Sequence, residues 1–415
     1  MPISDHDKTV LRRLAEQRAE IAALPVQEER RELWRRLNDL EPVKPLVWVN
    51  EICWWEFVEE EDLQLQTQDS WAQGLETQFR QELYQWEHLP GDMIVDREIW
   101  CPLAISDTGF GIGTEADYSA TASGLFGAGR YHAQFATEAD VARIQFPEVT
   151  HDVAATERNY EQMREVFDGI APVVKRGICH LWFSPWDQLI QWWNVQQAML
   201  DLVLKPELVH AAMDRLVSAF LYRLDQYEAL GLLSVPDGNL RVGSGGLGYT
   251  KDLPPADYDP AHVRPRDQWG CATAQIFSEV SPAMHEEFAL QYERRWLERF
   301  GLTYYGCCEP LHLKMDILRS VKNLRKVSMS FAANLARGVE ETGGRYVMSL
   351  KPNPAIVAED GWRPELARRR YRESLEITRG CPVEIVLKDI STVRSEPRRL
   401  WEWTRLASEE AERFA

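Results

Sequence analysis

The sequence predicts an α/β chain folded as a TIM (β/α)8 barrel, with an N-terminal helical extension and a loop-rich insertion. Short apolar runs alternate with amphipathic helical stretches, the mark of parallel βαβ units. Eight such runs can be counted, at 45–50, 92–96, 172–180, about 233–242, 302–305, 326–330, 345–350 and 383–387, and eight units close a barrel. Each run ends on a polar residue: Glu51, Asp96, His180, Ser244, Cys307, Ser330, Lys351 and Asp389. In a barrel those ends share one mouth, where active sites sit. An open doubly wound sheet is the structural alternative.

Residues 7–38 read as helix, with Leu11, Leu14, Ile21 and Leu24 among charges and Pro25 as an interruption. The span 1–44 is therefore assigned to a helical layer outside the main core, and 45–415 to the barrel. The first strand leads into Glu51-Ile52-Cys53-Trp54-Trp55-Glu56, an odd mixture of acid and indole for a plain turn. A helix over 70–86 presents Trp71, Leu75, Phe79 and Leu83 on one face. Residues 103–135 are rich in Gly, Ala, Ser and Thr without helical period, which predicts an insertion of loops and short strands. The helix over 206–230 carries Val209, Met213, Leu216, Phe220, Leu224 and Tyr227, and Gly231 stops it. Gly243-Ser244-Gly245-Gly246-Leu247-Gly248 formally matches a dinucleotide motif, but Pro254-Pro255 follows where a helix is required, so that reading is rejected. Ser281-Pro282 starts a helix as N-cap and first residue. It runs to Gly301, ahead of the strand that ends at Gly306-Cys307-Cys308-Glu309. Helices over 332–341 and 364–378 separate the last three strands.

At 415 residues the length suits a barrel with insertions. A hydrophobic content of 45% and charged content of 27% read as a soluble globular chain, and no apolar run approaches membrane-spanning length. A net charge of −18 argues against a nucleic-acid partner. The first residues carry neither a basic nor an apolar leader region, and the seven cysteines are an odd number. Both point to reduced thiols in the cytoplasm rather than a disulfide framework.

The residues that carry chemistry gather at predicted strand tips. Cys307, Cys308 and Glu309 place two soft donors beside a hard one, a pattern that suits a metal, and Cys271 on a neighbouring stretch is a further candidate ligand. The competing reading is two core cysteines and a helix-capping glutamate. Asp389, Glu51 and Lys351 are the candidate catalytic groups. Trp54, Trp55, His180, Trp186, Gln275, Asn353 and Lys388 are the candidate substrate-binding residues.

From about Pro45 to Phe414 the order of elements resembles the uroporphyrinogen decarboxylase superfamily, whose members are TIM barrels. Ser281-Pro282, the tip at Tyr305-Gly306-Cys307, Lys351-Pro352-Asn353-Pro354 and the strand ending at Lys388-Asp389 look like successive landmarks of that family. The chain looks closest to a decarboxylase-like branch related to corrinoid-linked methyltransferases of the coenzyme M type. Two departures are specific. The arginine-rich stretch that meets tetrapyrrole carboxylates reads Val49-Asn50-Glu51-Ile52-Cys53-Trp54 here, so porphyrinogen decarboxylation is not expected. The branch's zinc-binding His-x-Cys reads Tyr305-Gly306-Cys307, and its last-strand cysteine falls at about Lys388-Asp389.

The resemblance implies zinc-dependent methyl transfer to or from a small molecule, with Cys307 carried over as a ligand. It also implies a corrinoid on a separate partner protein, since this chain holds no Asp-x-His-x-x-Gly loop. Zinc would activate a thiol or a methylated heteroatom. Asp389 or Glu51 would act as acid or base, with a pKa raised if desolvated among the indoles, and Lys351 would bind an anionic group. Two other readings stay open: a metal-independent lyase or decarboxylase of a small non-porphyrin acid, and a non-catalytic ligand-binding barrel.

Overall fold

A computed structural model describes residues 3–119, 129–235 and 239–414. Six parallel strands form one sheet, in the order Leu46–Val49, Val383–Leu387, Val347–Leu350, Leu324–Met329, Leu302–Tyr305 and Trp269–Ala272. Helices cover the outer face, among them Pro206–Ala229, Leu335–Thr342, Pro364–Ile377 and Arg398–Glu412. Most of these strands are buried on both faces, as parallel strands under crossover helices must be.

The sheet is not a closed eight-stranded ladder among the described residues, which corrects the expected barrel. The sequence reading also missed Trp269–Ala272, whose Trp-Gly-Cys-Ala lacks a β-branched run. Two predicted strands, 92–96 and 233–242, are not ladder strands. Beyond the free edge of Leu46–Val49 the chain is joined by other means. Asp92 stands beside Val47, donating its N–H to the Val47 carbonyl and accepting the Val47 N–H on its carboxylate, both at 2.7 Å. Ile99–Pro102 then pairs in parallel with Val173–Arg176, and Ile178 bridges Leu233. Finally the Gln268 side-chain amide donates to the carbonyls of Ile178 (2.7 Å) and Ser234 (2.6 Å), next to the far edge of the sheet. Side chains thus stand where ladder bonds would run. Asp92→Ala is expected to cost about 1–3 kcal/mol by orphaning the Val47 N–H, measured by equilibrium urea unfolding.

The N-terminal layer is two helices, Asp5–Ala22 and Pro25–Asn38, broken where Pro25 predicted. The second is not merely external. Its Trp34 is fully buried with Leu46, Ile94, Leu247 and Val347, and its indole N–H donates to the Asp92 carbonyl at 2.8 Å. It seals the end of the sheet opposite the cysteines. The expected insertion contains the antiparallel pair Ala116–Tyr118 with Gly129–Tyr131, and its strand Ile105–Asp107 pairs with Val149–His151 beyond it. Its part at 120–128 lies outside the described residues.

Candidate active site at the strand ends

In a parallel sheet the residues just past each strand emerge at one end. Here that end collects Glu51, Cys307, Cys308, Lys351, Lys388 and Asp389. Gly306 makes the turn to the thiols with φ +98°, and a Cβ there would lie 2.5 Å from Leu311 Cδ1, so only glycine passes. Glu51 (φ 52°) and Asp389 (φ 56°) hold left-handed backbone at the ends of paired neighbouring strands. Non-glycine residues keep such conformations at a cost of order 1 kcal/mol, and they concentrate at functional sites.

The centre of the cluster is Lys388. Its ammonium lies 2.7 Å from Asp389 Oδ2, 3.2 Å from Glu51 Oε2 and 3.8 Å from the Cys307 sulfur. Burial alone would lower its pKa, but these three groups hold it above the ordinary lysine value. Cys307 Sγ is 3.6 Å from Cys308 Sγ, and Cys308 Sγ is 3.8 Å from Asp389 Oδ2. The Cys308 thiol draws the Cys307 pKa below the usual thiol value; burial opposes this and the Lys388 charge assists. Cys308 is correspondingly pushed up by the same hydrogen bond. Cys307 is therefore the more acidic thiol of the pair.

That assignment has a measurable consequence. The ultraviolet thiolate signal, taken as wild type minus Cys307→Ser, is expected to titrate with a midpoint below 9.0. Removing the ammonium in Lys388→Met disfavours the anion, so the midpoint should move up. An unchanged midpoint would contradict the pairing.

Glu51 was expected to gain a raised pKa among the indoles. Burial does push that way, but Arg241, whose guanidinium donates at 2.5 Å, together with Lys388 brings it down to about 2. It is a fixed anion. Lys351 is only 7% exposed, and burial brings its pKa to about 7. Its ammonium donates to Ser349 Oγ and lies 5.6 Å from the centre of the Tyr304 ring.

Other candidates lie elsewhere. Glu309 is fully buried and turned inward: its carboxylate accepts from the Cys307 N–H and the Thr273 hydroxyl, both at 2.8 Å. It braces the cysteine turn. Cys271 donates to the Leu181 carbonyl at 3.4 Å, and burial raises its thiol to about 12. His180 accepts the Gly243 N–H at 2.8 Å, and burial lowers it to about 4, so it is neutral. Trp186 is fully buried and donates to the Phe288 carbonyl, while Gln275 donates to Asp187 at 2.7 Å. Trp54 packs edge-on against Phe57 and Tyr84. Asn353 is exposed and caps the Ala355 N–H. Trp55 does reach the site, lining with Glu51 and Asp389 a groove of about 960 Å³.

Sequence reasoning missed Arg241 and Ser349, while Ser330 was expected at a strand end. Arg241 had a signal, since it directly precedes the glycine-rich loop. That loop does not cover a ligand: a Cβ at Gly246 would lie 2.4 Å from Trp34, and the Gly246 N–H binds Glu384 inside the sheet. Tyr305, which the resemblance would align with a zinc-binding histidine, faces the helical layer instead of the thiols. It donates to Glu293 at 2.5 Å and lies 2.6 Å from His285 Nε2.

The donor set was tested against zinc. Two thiolates at about 2.3 Å in a tetrahedron stand about 3.8 Å apart, and Cys307 and Cys308 stand 3.6 Å apart. Asp389 is a hard third donor 3.8 Å from Cys308. The two sulfurs therefore have the spacing of a zinc pair, but Asp389 does not complete a set with them, because the three ligand atoms do not all lie within 4.8 Å of one another; Glu309 and Cys271 stand outside it. Among the described residues, the trio of His, Cys, Asp or Glu whose ligand atoms all lie within 4.8 Å is instead Asp62, Glu87 and His88, partly exposed.

No family model and no curated protein matches this chain. Among solved structures it is similar to a methyltransferase from Methanosarcina mazei, at 14% identity and a TM-score of 0.48, over 93% of this chain and 98% of that one. At that identity the chemistry has to be read from this chain's own residues. No described helix is long and apolar enough to cross a membrane.

Proposed function

We propose that this chain transfers a methyl group to or from a small molecule at the Cys307 cluster, on a (β/α)8-like ring whose ladder is interrupted. In this reading the sulfurs of Cys307 and Cys308 would anchor a zinc ion, and a separate corrinoid protein would carry the methyl group. The observation that carries it is the pair of sulfurs 3.6 Å apart beside a carboxylate, at the end where six parallel strands finish. When bound, the ion supplies Lewis acidity toward a thiol or a methylated heteroatom.

The chain's own groups do the rest. The Cys308 hydrogen bond and the Lys388 charge favour the ionised form of Cys307, the state in which sulfur is a ligand or nucleophile. Glu51, fixed by Arg241, holds Lys388 in place. Asp389, with its side chain 49% exposed, reaches the groove where it can take or give a proton. Trp55 offers an indole face to a methyl-bearing cation. The acids and indoles here do not suit a porphyrinogen.

A second reading rests on one distance. The Lys388 ammonium, 3.8 Å from the Cys307 sulfur, already neutralises the thiolate, as in a metal-free lyase or decarboxylase using Asp389 and Lys351 for proton transfer. Zinc titration of wild type and Lys388→Met separates the two. Under the methyl-transfer reading, at a pH where Cys307 is ionised in both proteins, Lys388→Met removes a competing cation and zinc should bind at least about fivefold tighter. Failure of both proteins to bind zinc would favour the metal-free reading.

A further inference from the structure

Below the thiols, neighbouring strands end in donors that find no partner. Lys351 follows Val347–Leu350, and its N–H bonds the Met329 carbonyl, which sets Ser330 beside it. Val49 is in register with Leu387, so Asn50 lies level with Lys388 one strand further on. By alternation Ser330, Lys351, Lys388 and Asn50 share the face carrying Lys326 and Glu384, the inner face of the sheet. Lys388 is saturated by its three partners, but the others are not. Ser330 is 2% exposed and its hydroxyl has no hydrogen-bond partner; neither does the buried amide nitrogen of Asn50. The Lys351 ammonium carries three donors, and among the described residues its hydrogen-bond acceptor is Ser349 Oγ. Buried polar groups are ordinarily paired, so unused donors at the ends of three strands, on one face of the sheet, mark a place for an acceptor.

The charge fixes the kind of acceptor. Glu384 lies near Lys351, but its carboxylate is engaged by Lys326 at 2.8 Å and by the Gly246 N–H at 2.9 Å. The cradle thus offers a buried amine that a bound anion would hold protonated, one hydroxyl and one amide, with a carboxylate close behind. A single negative charge suits it; a phosphate dianion would meet Glu384 uncompensated.

We propose that Lys351, Ser330 and Asn50 form a cradle for the carboxylate of a small organic acid, whose other end then faces Cys307. As an assignment of substrate class this rests on the methyl-transfer reading, whereas carboxylate binding does not.

Calorimetric titration of the full chain with butyrate, butyramide and inorganic phosphate tests it. Butyrate should bind at least about tenfold tighter than either of the others. Lys351→Met should remove that preference, and Ser330→Ala, which leaves no charge exposed or orphaned, should weaken butyrate by about threefold or more. Equal binding of butyrate and butyramide, tighter binding of phosphate, or unchanged butyrate affinity in both variants would overturn the cradle. Cys307→Ser should leave butyrate affinity intact. Butyrate binding without zinc binding would sink the proposed function and keep the cradle; zinc binding without butyrate binding would do the reverse.

Discussion

Glu384→Ala is expected to destabilise the fold by about 3–5 kcal/mol, because it leaves a buried lysine without its counter-ion. Lys326 and Glu384 are both fully buried, 2.8 Å apart, between the Trp34 seal and the reactive end. The Lys326 ammonium also lies 5.7 Å from the rings of Trp34 and Trp269. Glu384 further accepts the Gly246 N–H, which pins the glycine-rich loop inside the sheet. Its charge also acts on Lys351, so the cradle loses an anion. Replacing both partners by Lys326→Met and Glu384→Leu should recover most of the loss, since neither charge then stays buried alone. Equilibrium urea unfolding of the two singles and the double closes the cycle. Equal costs for Glu384→Ala and the double variant would mean that the pair is not coupled.

The second large effect falls on chemistry. Cys307→Ser should lower turnover by about a thousandfold or more, or about 4 kcal/mol in barrier, because it removes the ionised sulfur. The fold should hold: serine is nearly isosteric, and the turn is set by Gly306 and by the bond from the Cys307 N–H to Glu309. Zinc should be lost in parallel. Cys308→Ser should cost less, since Cys308 is the exposed partner and Cys307 the more acidic thiol of the two. A corrinoid protein with a methylated small molecule provides the assay. Comparable losses in the two serine variants would remove the distinction between the thiols.

The alternation of strands and helices was legible because parallel strands buried on both faces read as unbroken apolar runs. The strand ends followed from it, which is why Glu51, Cys307, Lys351 and Asp389 could be named together. What failed was chain pairing held by side chains. No periodicity marks Asp92 as a stand-in for a ladder partner of Val47, or Gln268 as a bridge between carbonyls. Trp269–Ala272 was missed because glycine and small residues dilute a strand signal, although all four are buried. Within the site, adjacency misled. Glu309 neighbours two cysteines in sequence, yet its carboxylate turns back onto the Cys307 N–H. Lys388 looked like a contact residue and is instead the charge around which Glu51, Cys307 and Asp389 are arranged. The sign of the Glu51 shift depended on Arg241, a residue 190 positions away that no local pattern connects to it.

The most direct measurement is a zinc-edge anomalous map of crystals of the full chain, with metal content determined on the same preparation. One zinc per chain within bonding distance of the sulfurs of Cys307 and Cys308 is the predicted result. A zinc ion found only at Asp62, Glu87 and His88, or an active protein free of metal, would contradict it.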